Sequence, residues 1–182
     1  MASLHIDDIT LVVRAREGDL ASFEALLRRY QRGIYQLALR MTAHSGDAED
    51  ITQEVFLAAW RCLPEIQQDA AFSGWLYRTA TNRCLSLLRR RRPLEPLEDD
   101  APMPAPASTD PQRAAQTSAQ LADLAQALRQ LTDEQRAVWL LREVHGRSYD
   151  EIAEVLDATP QAVRGRLARA RVQLAELMSP WQ

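Results

Sequence analysis

The sequence has few of the residues that β-rich, disulfide-bonded or membrane-spanning proteins need. Among 182 residues there are 6 glycines, 2 cysteines and only 6% aromatic residues, and all 22 basic residues are arginine. Little glycine, combined with long apolar segments of helical spacing, favours an all-α fold. No apolar run approaches a membrane span, and the N-terminus has no signal-peptide pattern. We therefore expect a cytoplasmic protein without membrane insertion.

The residues that build metal or catalytic sites are also scarce. Cys62 and Cys84 lie in apolar helical patterns, which predicts two reduced core thiols. The three histidines, His5, His44 and His145, form no metal-ligand spacing with them. The sequence has no phosphate loop, no Gly-rich dinucleotide turn and no Ser/His/Asp or Cys/His set. We expect no metal, no cofactor, no small-molecule substrate and no catalysis.

The charge is unevenly distributed along the chain. The formal net charge is −3, made up of +2 in residues 1–92, −5 in residues 93–112 and zero in residues 113–182. Five prolines precede Thr109 in the acidic segment, and no helix continues through them. The sequence thus predicts two small helical domains, 1–92 and 113–182, joined by a flexible acidic Pro-rich linker. The linker is either a passive tether or a polyanion that occupies a basic channel of a partner.

Eight helices are predicted from apolar periodicity and capping residues, four in the first domain and four in the second. Those of the first domain lie near residues 9–17, 20–42, 47–63 and 72–92, with Asp47 as the N-cap of the third. In the second domain, a cap at Asp110 opens a helix that reaches about residue 130. Capping boxes begin two further helices. Their residue pairs are Thr132 with Gln135 and Ser148 with Glu151.

The segment from Ser148 to Arg171 is typical of a helix-turn-helix, followed toward the C-terminus by the rest of its second helix. The turn falls at residues 157–159, and the second helix carries four arginines and no acid up to Arg171. In such folds this helix lies in the major groove of DNA. The stripe predicted to pack inward comprises Val163, Leu167, Ala170, Leu174 and Leu177. The candidate DNA contacts are Gln161, Arg164 and Arg169 for base edges, Arg166 and Arg171 for phosphates, and small Ala168 for close approach.

The fourth helix gives a second nucleic-acid signal. Trp75, Arg78, Asn82 and Arg89 fall on one face, and an aromatic, an amide and cations suit stacking on exposed bases and holding a backbone. The polar loop 66–71 before this helix could form a base pocket. The alternative is that Trp75 belongs to the core and the arginines are simply solvated.

The third helix has a different character. Its first turns are acidic, and Phe56 and Trp60 share a face with some of the acids, on the side opposite its main apolar stripe. Acids would repel phosphates, so this face indicates protein docking rather than DNA binding. The candidate docking residues are Asp47, Glu49, Asp50, Gln53 and Glu54.

These segments, in this order, resemble the extracytoplasmic-function sigma factors of bacterial RNA polymerase. Residues 47–56 look like that family's polymerase-binding motif. Residues 72–82 look like its helix for melting and reading the minus-ten element, within a region 2-like domain. Residues 131–136 and 148–171 look like its region 4 domain, which reads the minus-thirty-five element. Asp157 and the pair Gln161-Ala162 depart from commoner residues at their positions.

The resemblance implies partners and residue roles. Core RNA polymerase would bind the acidic face of the third helix. Asn82 would contact a minus-ten base, with Trp75 and Arg78 near the separated strand. The arginine-bearing last helix would enter the groove upstream, the linker would thread toward the polymerase active centre, and an anti-sigma factor would be the regulator. Two alternatives use the same residues: a stand-alone helix-turn-helix regulator with a helical sensor domain, or a helical adaptor with no DNA role.

Overall fold

The computed structural model describes residues 6–66, 71–91 and 111–178, with the side chains of 111–119 excepted. Every element in these ranges is helical, which confirms the all-α prediction. None of these helices is both long and apolar enough to cross a lipid bilayer. The helices are α1 (Asp8–Arg16), α2 (Leu20–Thr42), α3 (Ser45–Cys62), α4 (Phe72–Arg91), α5 (Pro111–Gln130), α6 (Asp133–Trp139), α7 (Tyr149–Val155) and α8 (Pro160–Met178). A 3₁₀ turn, Leu63–Glu65, follows α3, and a π-helical turn, Leu140–Val144, continues α6.

Helix α2 is the centre of the first domain. It packs against α1, α3 and α4, and its inner face buries Leu26, Ile34, Leu37 and Met41 completely. Burying one such side chain contributes about 1.5–3 kcal/mol relative to leaving it in water. This packing holds the outer faces of α3 and α4 in fixed positions, and those faces carry the candidate site residues.

The start of α3 differs from the expectation. Its N-cap is His44, whose Nδ1 accepts a hydrogen bond from the Asp47 backbone nitrogen at 3.3 Å, so the prediction of Asp47 as N-cap was wrong. The reason lies in the preceding turn, where Ala43 takes a left-handed φ of 56° and starts the new helix earlier. Asp47 is therefore inside the first turn, and its carboxylate binds Arg91 of α4.

The second domain is built around α8, which packs on α5, α6 and α7. Both predicted capping boxes are present, at Thr132 with Gln135 and at Ser148 with Glu151. Asp157 adopts the left-handed φ of 49° that the helix-turn-helix turn requires. The predicted inner stripe of α8 is buried except for Leu177, which is 40% exposed because it lies at the last turn, beyond the contacts that cover the rest.

The two domains are in contact with each other. Helix α4 touches α6 and α7, and α2 touches α6. The side chain of Arg136 is buried and donates to two backbone carbonyls of different domains, Leu128 at 2.8 Å and Met41 at 2.6 Å. Residues 92–110, which include most of the predicted linker and the cap Asp110, lie outside the described residues, as do positions 67–70 of the predicted base-pocket loop.

Candidate functional site

Helix α8 presents its arginines from a well-capped start. The Thr159 hydroxyl accepts from the Ala162 backbone nitrogen at 3.1 Å, and Pro160 occupies the first helical position. The buried residues of α8 turn the rest of the helix outward. The outward set predicted from the sequence is exposed at Gln161, Arg164, Ala168, Arg169 and Arg171, and half-buried at Arg166.

The arginines of α8 differ in what they contact. Arg166 pairs with Glu134 at 2.8 Å, and Arg171 binds Glu143, with its Nε 3.1 Å from the carboxylate. Arg164 instead lies over the ring of Tyr149, 5.3 Å from its centroid. Over the described part of the chain, neither Arg164 nor Arg169 makes an ion pair.

Tyr149 also receives a second arginine. The guanidinium of Arg142 lies 4.8 Å from the same ring centroid and donates to the Arg147 carbonyl at 2.9 Å. Two cations over one electron-rich ring are held near each other by the ring quadrupole. This contact could not be predicted from the sequence, because Tyr149 and Arg142 belong to different helices. The arrangement fixes a positive patch beside the start of α8.

The predicted face of α4 is formed as expected from its spacing. Arg78, Asn82 and Arg89 are exposed, while Trp75 is half-buried and packs against the core. The opposite face is closed: Leu76, Ala80 and Cys84 are fully buried, and Leu88 nearly so. Burial raises the pKa of the Cys84 thiol to about 12, so this cysteine stays protonated and unreactive.

Asn82 lines a groove between α3 and α4. The groove has a volume of about 540 Å³, and Asp50, Glu54, Thr79 and Arg83 also line it. The Glu54 carboxylate accepts from the Arg83 guanidinium across the groove. An exposed amide between a hydroxyl and an ion pair provides both donors and acceptors for a polar ring edge.

The five candidate docking residues of α3 divide into two groups. Glu49, Asp50, Gln53 and Glu54 are exposed on the outer face. The Asp47 side chain is only 13% exposed. Both of its carboxylate oxygens accept hydrogen bonds from the Arg91 guanidinium, one of them at 2.8 Å. The structure therefore brings four of the five candidate docking residues to the surface together and ties Asp47 to the end of α4.

An apolar groove lies beside this acidic face, between α2 and α3. Its volume is about 920 Å³. Its walls include Leu20, Leu57 and Trp60, which are 67%, 52% and 38% exposed. The ring of Trp60 meets Phe23 edge to face at a centroid distance of 4.9 Å. Exposed large apolar side chains gathered in one concave surface are typical of protein interfaces.

Sequence reasoning located only part of this groove. Phe56 was expected on the exposed face, yet it is 6% exposed and belongs to the core. Leu20 and Leu57 were not expected at all. Periodicity describes each helix by itself, whereas the groove is formed by residues of both α2 and α3. An apolar residue outside the core stripe, such as Leu57, was the available signal.

Comparisons with known protein families identify both domains. The family model described as Sigma-70 region 2 matches residues 26–93, and the one described as Sigma-70, region 4, matches residues 121–174. The chain is 36% identical over 173 residues to the ECF RNA polymerase sigma factor SigM of Mycobacterium tuberculosis, covering 94% of this chain and 84% of that protein.

Two solved structures are similar over nearly their whole length. CnrH, in complex with the cytosolic domain of CnrY, superposes with a TM-score of 0.71 at 28% identity, covering 96% of this chain and 99% of that chain. The sigma factor RpoE, in complex with the anti-sigma factor NepR from Bartonella quintana, gives a TM-score of 0.73 at 22% identity, covering 90% and 100%. At that identity, the second likeness concerns the fold alone.

Proposed function

The chain belongs to the extracytoplasmic-function sigma factors of RNA polymerase, and we propose how its surfaces divide that task. A sigma factor directs core RNA polymerase to promoters, and the relatives cover both domains and not the helix-turn-helix alone. A stand-alone helix-turn-helix regulator would not need a first domain that matches Sigma-70 region 2. The proposal concerns which residues contact DNA and which contact polymerase.

The observation that carries the proposal is the division of the first domain into two chemically different faces. The α3 face combines exposed acids with an apolar groove, and the α4 face exposes Arg78, Asn82 and Arg89. Phosphates are repelled by the first and attracted by the second. We assign the apolar groove between α2 and α3, with the acids beside it, to core polymerase. We assign the α4 face to the separated minus-ten strand.

On the α4 face, Asn82 is assigned to a base and the arginines to the backbone. An amide side chain can both donate a hydrogen bond to a base edge and accept one from it, whereas an arginine can only donate. Trp75 is half-buried and packs against the core, so only part of its side chain is open to a base or sugar. Arg89, in the last turn of α4, extends the cationic track.

On α8, Arg164 and Arg169 are assigned to base edges of the minus-thirty-five element. Both are exposed, and Gln161 and Ala168 share their face. Arg166 and Arg171 are assigned to phosphates, which they reach by exchanging Glu134 and Glu143 for the DNA backbone. The N-terminal end of α8 adds backbone donors and a favourable dipole for a phosphate.

Polymerase binding is assigned to Glu49, Asp50, Gln53 and Glu54 with the apolar groove beside them. Asp47 supports this surface through Arg91 rather than by direct contact. We further propose regulation by an anti-sigma protein, action in the cytoplasm and no bond-making chemistry in the chain itself. The acidic segment 93–112 is assigned to a basic channel of the polymerase.

The function is tested with purified core polymerase from a related bacterium. Core plus this chain is expected to make abortive transcripts from promoters that core alone does not use. Mapping transcription start sites after overexpression supplies those promoters. Initiation that is no more specific than that of core alone would refute the function.

The polymerase face is tested separately by placing a charge in the groove. Leu57→Arg is expected to weaken core binding at least tenfold, because it buries a cation against the partner's apolar contact. Ile9→Arg is the matched control, since Ile9 is a similarly exposed apolar residue of α1 outside the groove. Equal core affinity for the two variants would remove the groove from the interface.

A further inference from the structure

The ring of Tyr149 lies beside an arginine that α8 offers to a base edge. The Arg164 guanidinium is 5.3 Å from the centroid of that ring, and the Arg164 side chain is exposed. In the part of the chain that the structure describes, no carboxylate pairs with Arg164. Contact with the ring therefore orients this side chain relative to the rest of the second domain.

The Tyr149 ring is itself held in place by its helix. Tyr149 is the first residue of α7 and directly follows Ser148, the N-cap. The Ser148 hydroxyl accepts from the Glu151 backbone nitrogen at 3.2 Å, and the Glu151 carboxylate accepts from the Ser148 backbone nitrogen at 2.7 Å. The ring is half-buried and packs against the core. Since α7 packs on α8, the ring has a fixed position relative to the helix that carries Arg164.

A second guanidinium reaches the same ring from the π-helical turn. Arg142 lies 4.8 Å from the ring centroid and donates a hydrogen bond to the Arg147 carbonyl at 2.9 Å. This bond ties Arg142 to the backbone of the second domain. Of the two arginines on the ring, Arg164 is the one whose donors are open to a partner.

A guanidinium over a ring differs from a guanidinium in an ion pair. The positive charge is attracted to the negative face of the ring, which restricts the orientation of the guanidinium without using its N–H donors. Arg166, on the same helix, instead pairs with the Glu134 carboxylate at 2.8 Å. Bidentate reading of guanine needs two free donors that point in a fixed direction. Contact with Tyr149 restricts the direction and leaves the donors free.

We propose that Tyr149 is a positioning residue for Arg164, and that it determines how strictly the minus-thirty-five element is read without contacting a base itself. This inference rests on the proposed function of α8. Holding an exposed arginine before DNA arrives reduces the side-chain entropy that binding costs. Without the ring, Arg164 can turn to phosphates, which carry no sequence information.

The strength of the contact sets the size of the expected effect. Attraction of an exposed guanidinium to an aromatic face corresponds to about a two- to fivefold change in an equilibrium constant. Discrimination is the ratio of promoter affinities for the preferred and the wrong base pair, and it should fall by that factor at the base pair that Arg164 reads. Arg169 is the internal comparison, because it is exposed on the same helix and, among the described residues, lies over no aromatic ring.

The test uses holoenzyme assembled from core polymerase and the full chain, on a promoter that it transcribes. Affinities of Arg164→Ala and Arg169→Ala over single-base variants of the upstream element identify the base pair that each arginine reads. Tyr149→Leu, which keeps apolar volume without a ring, is expected to lower discrimination about two- to fivefold at the Arg164 base pair and to leave the Arg169 base pair unchanged. Tyr149→Phe keeps the ring and should discriminate as wild type does.

Further variants separate positioning from stability. Leu156→Ala removes a half-buried core contact at the end of α7, so it is expected to weaken binding to every promoter variant equally. Pentafluorophenylalanine in place of Tyr149 keeps the shape of the Phe variant but withdraws electron density from the ring face. It should lose discrimination as Tyr149→Leu does, and it carries the test should Tyr149→Leu fail to fold. In an Arg164→Ala background, Tyr149→Leu should change the base preference no further.

Wild-type discrimination by Tyr149→Leu or by the fluorinated variant overturns the proposal. Equal loss at the Arg164 and Arg169 base pairs also overturns it, because a structural role alone has that result, as does a Tyr149→Phe variant that loses as much as Tyr149→Leu. If Arg164→Ala changes no base preference, the proposed role of Arg164 fails and this inference fails with it. If Arg164→Ala relaxes the preference and Tyr149→Leu does not, the inference fails alone.

Discussion

The arginines of α8 show how single side chains of one helix acquire different roles. Arg166 and Arg171 are paired with Glu134 and Glu143, whereas Arg164 lies over the Tyr149 ring. An ion pair must be given up before its arginine can bind a phosphate. An arginine over an aromatic ring keeps its hydrogen-bond donors for a base edge.

Replacing these arginines one at a time should separate the two roles. Arg164→Ala is expected to weaken holoenzyme binding to a promoter with its upstream element by about 1–3 kcal/mol and to relax the base preference at one position. Arg166→Ala, on the same helix, should cost less and affect all upstream sequences equally. The measurement is promoter affinity over a panel of single-base variants, and equal loss of preference in both would contradict the assignment.

At the scale of elements, the crossing of α2 and α4 depends on one missing side chain. A β-carbon at Gly33 would lie 2.7 Å from the Tyr77 hydroxyl, but 3.8 Å from the nearest ring carbon. The first distance is a clash and the second is ordinary contact. Glycine inside a helix costs up to about 1 kcal/mol relative to alanine. At position 33 the missing β-carbon permits the close approach of Tyr77.

A double-mutant cycle on this crossing has a defined sign. Gly33→Ala alone is expected to destabilise the first domain or leave it unchanged, because the clash offsets the gain in helix propensity. In a Tyr77→Phe background the same substitution should stabilise it by about 0.5–1 kcal/mol. Urea unfolding followed by circular dichroism measures both. Additive effects of the two substitutions would mean that the hydroxyl does not limit the crossing.

At the scale of the whole molecule, the packing of the second domain on α4 depends on a neutral histidine. Burial, and then the charges of Arg40 and Arg147, lowers the pKa of His145 to about 4. The ring also faces the Tyr77 hydroxyl, which is neutral because burial raises its pKa. Arg40 and Arg147 are therefore the charged groups beside the His145 ring. Undocking returns the His145 pKa toward its ordinary value of about 6.5.

The contact between the two domains should therefore weaken on acidification. Docking is fully stable above about pH 6.5, is lost progressively as the pH falls toward 4, and changes no further from this group below that. By pH 5 the docking equilibrium should have moved roughly thirtyfold toward separated domains. Scattering of the free chain at pH 7.5 and 5.0 measures this. His145→Gln, which cannot gain the proton, should lose most of the pH response, and an equal response would exclude His145 as its origin.

The sequence by itself determined the local structure. Capping boxes at Thr132 and Ser148, the apolar spacing of α2 and α8 and the outward set of α4 are set by neighbours within one or two turns, so they could be read from the chain. The cap of α3 was missed because the chain reverses at Ala43, which nothing in its side chain requires.

Tertiary structure decided what depends on residues far apart in sequence. The ion pair of Asp47 with Arg91, the apolar groove with Leu57 and the contacts of Tyr77 with His145 and Arg147 each join separate helices. Periodicity reports which face of a helix is apolar, but it does not report which neighbour that face meets. The sequence determined that two DNA-suited helices exist, and the packing of α7 on α4 decided that one of them is partly covered.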